Sequence, residues 1–402
     1  MTNRLPVIFI LMTVVIDSMG ISLIMPVMPD LIQEVRASDI GEAAVWGGIL
    51  ATVFAFMQFL FSPTLGNLSD RYGRRPILLA SLFFLTIDYL IMALAGSIAL
   101  LLIGRVLGGI TSATQAAANA AMADISKPDE KAGNFGLIGA AAGLGFVFGP
   151  IVGGLLGEYG TRVPFYAAAL LAFINMVFGY FAFSETVNDR IRRPFDWRRA
   201  NPIGALTHIG MKAGLGRLFI VLFIQTIAFF VYPAVWAFFG YERFGWSPAV
   251  IGLSLGLYGV SLAFVQAVLI RPVLKRLGER RTVILGMSID ILGLIALAVV
   301  SNGVVALILT PFIAIGSVAG PAMQGMMSRT ADDDQQGELI GAMLSVSAVA
   351  TIIAPLMMTQ TFWFFTTGPA PFYLPGAPFA VAAALTAGAL LIFQGFHENR
   401  SD

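Results

Sequence analysis

The sequence predicts an all-α membrane protein with twelve transmembrane helices, and three observations lead to that fold class. Hydrophobic residues make up 57% of the 402 residues and charged residues only 12%, which is more apolar than a water-soluble chain of this length needs for its core. The apolar residues occur in runs of roughly twenty, long enough for a helix rising ~1.5 Å per residue to cross ~30 Å of hydrocarbon. Lys and Arg are concentrated in alternate connections between these runs.

Twelve apolar runs are predicted as spans. They are residues 6–28, 47–65, 77–96, 99–121, 136–157, 164–184, 217–239, 250–271, 282–301, 304–327, 339–361 and 377–396. The first run has an acidic residue in its middle and no clear small-residue cleavage site after it, so it is predicted to span the membrane rather than to act as a cleaved signal. The absence of cysteine excludes disulfide bonds and thiol chemistry.

The basic residues predict how the helices are oriented. With the N-terminus inside, the cytoplasmic segments hold twenty of the 24 Lys and Arg residues, and the outer loops hold three, Arg36, Arg162 and Arg243. Because Lys and Arg near span ends are retained on the cytoplasmic side, both termini are predicted to be cytoplasmic. The net charge of +1 gives no reason to expect nucleic acid as a partner.

The chain is predicted to form two six-helix bundles related by pseudo-symmetry. Residues 1–184 hold six spans, 185–215 form a polar cytoplasmic linker, and 216–402 hold six more. The loop RPVLKRLGERR (271–281) repeats the loop GNLSDRYGRRP (66–76) weakly, and a functional repeat and a merely positive loop explain it about equally well. Two such halves are typical of secondary transporters that rock around a central site.

The loop 66–76 places four charges between two apolar spans. Gly66 and Gly73 permit tight backbone turns, and the three arginines of the loop hold it on the cytoplasmic side. Those roles leave Asp70 unexplained, because acidic residues contribute little to orientation. A carboxylate beside three guanidiniums indicates a specific ion-pair or helix-terminus partner.

This loop resembles the signature loop of the major facilitator superfamily, G-x-L-x-D-R-x-G-R-R, at every fixed position. GRVLGGI (104–110) is similar to the buried-arginine motif of that family, and GLGFVFGPIVGG (143–154) to the Gly-Pro motif associated with antiporters. With IDSMGISLIMPVMPDL (16–31) and the sequence around Asp88, the pattern resembles the tetracycline/proton antiporters among the twelve-helix drug exporters. The resemblance covers nearly the whole chain.

The resemblance implies a gate. Asp70 is expected to dock against the opposite half and to help hold the cytoplasmic side shut in the outward-open state. The expected gating residues are Gly66, Asp70, Arg71, Gly73, Arg74, Arg75, Gly149 and Pro150. For the last two there is also a physical argument, because small residues let a neighbouring helix approach and proline kinks its own helix. Either a bend that shifts the interface between halves or tight packing alone accounts for them.

Four charged residues inside predicted spans are the candidates for proton coupling, namely Asp17, Asp88, Arg105 and Asp290. A charge at a helix centre costs at least ~2.5–3.5 kcal/mol on insertion scales, so these residues are expected to face a cavity or a partner. Arg105 cannot release its proton, but it can act on a neighbouring carboxylate, for which Asp17 is the predicted partner. A static ion pair is the alternative. Asp290 is the preferred carrier because its span is otherwise apolar, whereas packing also explains Asp17 and Asp88.

A substrate pocket needs apolar walls with a few polar groups. The residues predicted to bind substrate are Gln58, Gln225, Trp236, Tyr258, Gln266, Asp290 and Gln324. The glutamines among them lie in different spans that should face the central cleft. The sequence departs from certain tetracycline exporters because Leu262 replaces a histidine of span eight. His208 and His397 lie outside the predicted spans, which excludes a histidine relay.

The predicted function is proton-coupled efflux of a tetracycline-like drug by alternating-access antiport in the bacterial inner membrane. The sequence has no GxxxxGK[ST] stretch to hold ATP, so an ion gradient is expected to drive transport. At Asp290 a cationic drug–magnesium chelate and a proton would compete. Export of another amphipathic drug or metabolite, and proton-coupled uptake, are the alternatives.

No enzymatic activity is expected, because the spans hold neither Cys nor His from which a nucleophile or metal cluster could be built. No resident cofactor or metal site is predicted, and magnesium is expected only as part of the substrate. The predicted partners are the drug, protons and the lipid bilayer. The protein is predicted to be monomeric.

Overall fold

The computed structural model of the chain describes residues 5–112, 114–127, 130–187, 215–330 and 335–395. Within these ranges the regular structure is helical, without a strand, which confirms the predicted all-α fold class. Among the described residues, eleven helical stretches are long and apolar enough to cross a membrane. One of them, Pro248–Val299, has 52 residues and contains two of the predicted spans, 250–271 and 282–301, which reconciles eleven stretches with twelve predicted spans.

The chain divides into two compact units. The first comprises residues 1–38, 53–202 and 247–256, and the second comprises 39–52, 203–246 and 257–402. The bundle boundaries predicted at 184/185 and 215/216 stay predictions, since residues 188–214 of the predicted linker lie outside the described residues.

The described residues of the first half of the chain form eight helices. They are α1 (Leu5–Leu23), α2 (Met28–Arg36), α3 (Ile40–Tyr72), α4 (Arg74–Leu94), α5 (Ile98–Thr111), α6 (Thr114–Ile125), α7 (Lys131–Gly157) and α8 (Val163–Ala182). The core of the first unit contains Phe9 and Val14 of α1, Leu82 of α4 and Met122 of α6, all fully buried. Burial of these side chains fixes which face of each helix turns inward.

The second half of the described chain also forms eight helices. They are α9 (Leu215–Phe229), α10 (Val231–Phe244), α11 (Pro248–Phe264), α12 (Ile270–Val299), α13 (Gly303–Ile315), α14 (Ala319–Thr330), α15 (Gln336–Thr366) and α16 (Ala377–Gln394). Leu218, Met287, Met327 and Phe393 lie at the core of the second unit, at most 1% exposed.

Residues 271–281 are predicted to form a loop, but they belong to helix α12. Most of that loop continues the helix, and only Gly278, with φ 72° and ψ 170°, leaves helical geometry. Positive φ is accessible to glycine without a β-carbon clash, so the turn is confined to that residue. Ahead of α12, the residues Val265–Leu269 form one π-helical turn.

The glycines of α7 pack it directly against α1. A β carbon on Gly145 would lie 2.5 Å from the carbonyl oxygen of Val15 and 2.7 Å from Ser18 Cβ, and one on Gly149 would lie 2.7 Å from the carbonyl oxygen of Met19. Backbone atoms of α1 therefore occupy the space that side chains would need. This supports the tight-packing explanation of the glycine run, while the gating role expected of Gly149 and Pro150 stays a prediction.

The other face of α7 meets the start of α11 within the first unit. A β carbon on Gly154 would lie 3.0 Å from Gly252 Cα. Just beyond α7, Glu158 accepts a hydrogen bond of 3.1 Å from the backbone N–H of Ala249, and hydrogen bonds from Ser247 and Ala249 lower the pKa of Glu158. The carboxylate thus occupies the N-terminus of α11, where helix N–H groups lack internal partners.

The segment between α15 and α16 is held by polar and aromatic contacts. The hydroxyl of Tyr373 donates a hydrogen bond of 2.6 Å to Glu242 Oε1 on α10. Partial burial, followed by this carboxylate, raises the pKa of Tyr373 to about 12. The ring of Phe372 in this segment lies 5.3 Å from the ring of Phe365 in the last turn of α15.

Replacing Gly145 by alanine tests the contact between α7 and α1. We expect Gly145→Ala to lower stability by about 1–3 kcal/mol, because the added methyl group overlaps the backbone of α1. Gly143→Ala is the matched control on the same helix, since a β carbon there meets nothing within 4 Å. The free energy of unfolding of the control should rise by about 0.5–1 kcal/mol, because alanine has a higher helix propensity than glycine. Thermal unfolding of both purified variants measures the difference, and equal melting temperatures would contradict the packing argument.

Candidate functional site

A buried ion pair joins α4 and α5 in the first unit. Arg105 Nη2 donates a hydrogen bond of 2.8 Å to Asp88 Oδ2, and the two side chains are 10% and 1% exposed. The sequence analysis paired Arg105 with Asp17, and that assignment is wrong. Adjacent antiparallel helices bring Arg105 and Asp88 to the same level, which the spacing along the chain does not reveal.

Glycines of the motif GRVLGGI make room for this ion pair. A β carbon on Gly104 would lie 2.9 Å from Asp88 Oδ1, and one on Gly108 would lie 2.9 Å from Asp88 Cγ. The Arg105 guanidinium also lies over the Phe54 ring, 5.3 Å from its centre. The motif therefore supplies both the cation and the space that its carboxylate partner occupies.

Asp17 has a different environment from Asp88. The Thr114 hydroxyl on α6 donates a hydrogen bond to the Asp17 carboxylate, and Asp17 is buried. Tyr89 lies close enough to Asp17, Asp88 and Arg105 to interact electrostatically with all three. Its ring packs on Gly20, where a β carbon would lie 2.5 Å from the tyrosine hydroxyl. The structure thus brings three of the four predicted proton-coupling residues into one cluster.

Asp290 belongs to the second unit, on α12. Gln225 Nε2 of α9 donates a long hydrogen bond of 3.5 Å to Asp290 Oδ2. Gly316 lies against the carboxylate so closely that a β carbon there would overlap it. Gly316 begins the 3₁₀ turn Gly316–Val318 between α13 and α14, and the π-helical turn Val265–Leu269 packs against that turn. The 3₁₀ turn that borders the carboxylate thus packs against a second irregular turn, and such turns inside long helices occur frequently at functional sites.

Four aromatic rings line the same region of the second unit. Tyr232 stacks on Tyr258 with ring centres 5.2 Å apart and planes 21° apart. Tyr232 also contacts Trp236 at 6.1 Å and Phe379 at 6.0 Å. Both tyrosines lie close enough to Asp290 to interact with its charge. The structure therefore brings Gln225, Tyr258 and Asp290 together, with Trp236 one ring further away.

No described contact joins Asp290 to the other three predicted substrate-binding residues. Gln266, on the π-helical turn, and Gln324, on α14, are exposed. Gln58 belongs to the first unit, where its backbone nitrogen lies 3.3 Å from the position of a β carbon on Gly109. Their role in binding substrate stays a prediction.

The charged loop 66–76 is organised around Arg74. Arg74 forms an ion pair of 2.5 Å with Asp70, one of 3.1 Å with Asp124, and a hydrogen bond of 3.3 Å to Ser69 Oγ. Asp70 therefore has the ion-pair partner that the sequence indicated, one helical turn away. Docking of Asp70 against the opposite half stays a prediction.

Only one of the two glycines in this loop makes a turn. Gly66 is helical because α3 continues to Tyr72, so the predicted tight turn at Gly66 is wrong. Gly73 has φ 113° and ψ 155°, which only glycine adopts readily, and α4 begins directly after it. Arg71 extends over the Tyr72 ring at 5.1 Å.

Glu185, which the sequence analysis missed, holds the start of α4. Its carboxylate accepts hydrogen bonds of 2.9 Å and 3.2 Å from the backbone N–H groups of Arg74 and Arg75. Arg75 also donates a hydrogen bond of 2.6 Å to the carbonyl oxygen of Tyr180. A side chain at Gly73 would overlap Glu185. An acidic residue directly after an apolar span was the available signal, but nothing in its spacing pointed to a helix more than a hundred residues earlier.

Comparisons with known proteins agree with this architecture. The family model described as Major Facilitator Superfamily matches residues 10–355, with a second match over 218–400. The tetracycline resistance protein of class C from Escherichia coli is 41% identical over 362 residues, which is 90% of this chain and 91% of that protein. The class H protein from Pasteurella multocida is 35% identical over 400 residues, 98% of this chain and 97% of that protein.

One solved structure illustrates the shared fold. A bacterial homolog of the human lysosomal transporter Spinster aligns with a TM-score of 0.78 at 15% identity, covering 96% of this chain and 95% of that chain. At this identity the likeness concerns the fold alone.

Neutralising Asp88 tests the energetics of the buried ion pair. We expect Asp88→Asn to destabilise the protein by about 3–5 kcal/mol, because Arg105 is left charged and buried without a counter-ion. The double variant Asp88→Asn/Arg105→Gln should regain most of that loss. Thermal unfolding of wild type, both single variants, Asp88→Asn and Arg105→Gln, and the double variant gives the coupling energy. A double variant no more stable than Asp88→Asn would contradict the pairing.

Removing the Glu185 carboxylate tests its role at α4. Glu185→Ala should destabilise the first turn by about 1 kcal/mol, since two backbone N–H groups lose their acceptor. Hydrogen exchange at the backbone N–H groups of Arg74, Arg75 and Ile77 is expected to accelerate. Glu338→Ala, in the first turn of α15, serves as the control and should leave exchange in α4 unchanged. Equal exchange rates in Glu185→Ala and wild type would rule out the cap.

Proposed function

The chain belongs to the major facilitator superfamily, among its tetracycline resistance proteins, and on that premise we propose that it exports a tetracycline-type drug in exchange for protons. It is a multi-span protein of the bacterial inner membrane. The proposal includes cytoplasmic termini and a monomeric protein. It treats magnesium as part of the transported chelate rather than as a resident metal.

The environment of Asp290 is the observation that supports exchange most directly. The carboxylate has one long hydrogen bond, from Gln225, and aromatic side chains beside it. A carboxylate held this weakly can release its contacts for an incoming cation. Either a proton or a cationic drug can neutralise its charge. Because the carboxylate binds only one of them at a time, binding of the drug is coupled to release of the proton.

Asp88 is less suited to that task than Asp290. Its carboxylate is fixed by Arg105, and separating a buried ion pair is costly. In the proposal, the Asp88–Arg105 pair fixes α4 against α5. Asp17 has a hydroxyl donor and no cation among its described contacts, so it is the first-unit acid better able than Asp88 to bind a proton.

Charge balance sets the driving force. If the drug leaves as a chelate with one positive charge and one proton enters, no net charge crosses the membrane. The membrane potential then contributes nothing, although it is worth ~2.3 kcal/mol per charge per 100 mV. A pH difference of one unit supplies ~1.4 kcal/mol, which sustains a tenfold drug gradient.

Asp290→Asn is the experiment that tests this function. Energised everted vesicles are mixed with tetracycline and magnesium, and release of protons is followed with a pH-sensitive dye. Wild type should give a drug-dependent signal, and Asp290→Asn should give none while inserting normally. Dissipating the potential alone should leave the wild-type signal intact, whereas collapsing the pH difference should abolish it.

Asp39→Asn is the matched control for this experiment. Asp39 accepts a hydrogen bond of 2.8 Å from the backbone N–H of Glu42 at the start of α3, and asparagine serves equally well there. The control should transport normally. Transport retained in Asp290→Asn would contradict the proposed coupling. A well-inserted wild type without any tetracycline response would instead point to another amphipathic substrate, to be found by screening the same vesicles.

A further inference from the structure

Buried polar atoms without a partner in the described part of the second unit include the hydroxyl oxygen of Tyr232 and the Oε1 atom of Gln225. The Oγ atom of Ser317, next to Gly316, is another. The other end of the same amide, Gln225 Nε2, is directed at the Asp290 carboxylate. A buried polar atom without a hydrogen bond destabilises a fold, so each such atom needs an explanation.

The position of the Tyr232 hydroxyl is fixed by packing. Its ring is stacked on Tyr258 at 5.2 Å and lies 6.1 Å from Trp236 and 6.0 Å from Phe379. Phe229, at 6.3 Å, is a fourth aromatic neighbour, so the ring cannot turn away to find another partner. Tyr232 also lies close enough to Asp290 to interact with its charge. The hydroxyl is thus held beside the carboxylate that the proposed function assigns to the drug.

We propose that Tyr232 is a substrate-binding residue whose hydroxyl donates a hydrogen bond to an oxygen of the transported drug, while Gln225 Oε1 accepts one from a hydroxyl of the same drug. The proposal rests on the proposed function and deepens it. It identifies two side-chain groups that would orient the drug beside Asp290.

The chemistry of the three groups explains this choice. Asp290 attracts the cation, Tyr232 donates, and Gln225 accepts, so the set is complementary to a ligand that presents a charge, an acceptor and a donor together. The stacked rings offer an apolar wall for a flat ring system. A site built to form hydrogen bonds rejects a ligand that lacks them, because its own polar groups then stay unpaired.

Tyr232→Phe tests the inference, because it keeps the ring and removes only the hydroxyl. Equilibrium binding of tetracycline with magnesium to the purified full-length protein should weaken about tenfold, which corresponds to about 1.4 kcal/mol. The melting temperature without drug should stay equal or rise, since an unpaired polar atom has been removed. Tyr241→Phe is the matched control on the same helix, with a side chain that is 38% exposed, and its drug affinity should equal that of wild type.

Each other outcome overturns the inference. An unchanged affinity in Tyr232→Phe would show that the hydroxyl does not touch the drug. A lower melting temperature without drug, or a variant that does not fold, would assign the hydroxyl to the fold instead. If wild type neither binds tetracycline nor releases protons, both the proposed function and this inference are refuted. If wild type does both, the proposed function stands, and the comparison of Tyr232→Phe with Tyr241→Phe tests the inference by itself.

Discussion

The interaction on which the first unit depends is the buried ion pair between Asp88 and Arg105. Neither charge could stay inside a span alone, because hydrocarbon offers no water to solvate it. The pair fixes α4 against α5 at one register and one rotation. The neighbouring positions of the motif around Arg105 then have to be glycine, since Gly104 and Gly108 border the carboxylate. One electrostatic requirement thus determines several residues of the motif.

Glycine has the same steric role elsewhere in the molecule. Gly316 leaves space for Asp290 in the second unit, and Gly73 leaves space for the Glu185 carboxylate at the start of α4. Along α7, the glycines admit the backbone of α1 rather than a side chain. In each case a polar or backbone group occupies the volume that a β carbon would fill. Close approach brings those groups within hydrogen-bonding or packing distance without water.

The two units treat their buried carboxylates differently, and this difference suits exchange. Asp88 is matched by a permanent cation, so its contacts are strong and static. Asp290 is met by an amide at 3.5 Å and by aromatic rings, which stabilise a charge less than a guanidinium does. Binding a proton or a cationic ligand therefore stabilises this carboxylate more than it would stabilise a carboxylate that is already paired with a guanidinium. In the proposed exchange, the first unit holds the fixed ion pair and the second holds the carboxylate that changes partners.

The sequence alone determined the all-helical membrane class, the spans, the motifs and the positions of the charged residues, because these follow from hydrophobic length and local spacing. It also indicated that Asp70 needed a partner. It did not determine which residues meet across helices, since that depends on the rotation and register of each helix in the packed unit. Tertiary structure decided that Arg105 pairs with Asp88 rather than Asp17, that α3 continues through Gly66, that Glu185 caps α4, and that Tyr232 stands beside Asp290. All four features depend on how separate segments of the chain pack together. The composition of a single segment does not encode that packing.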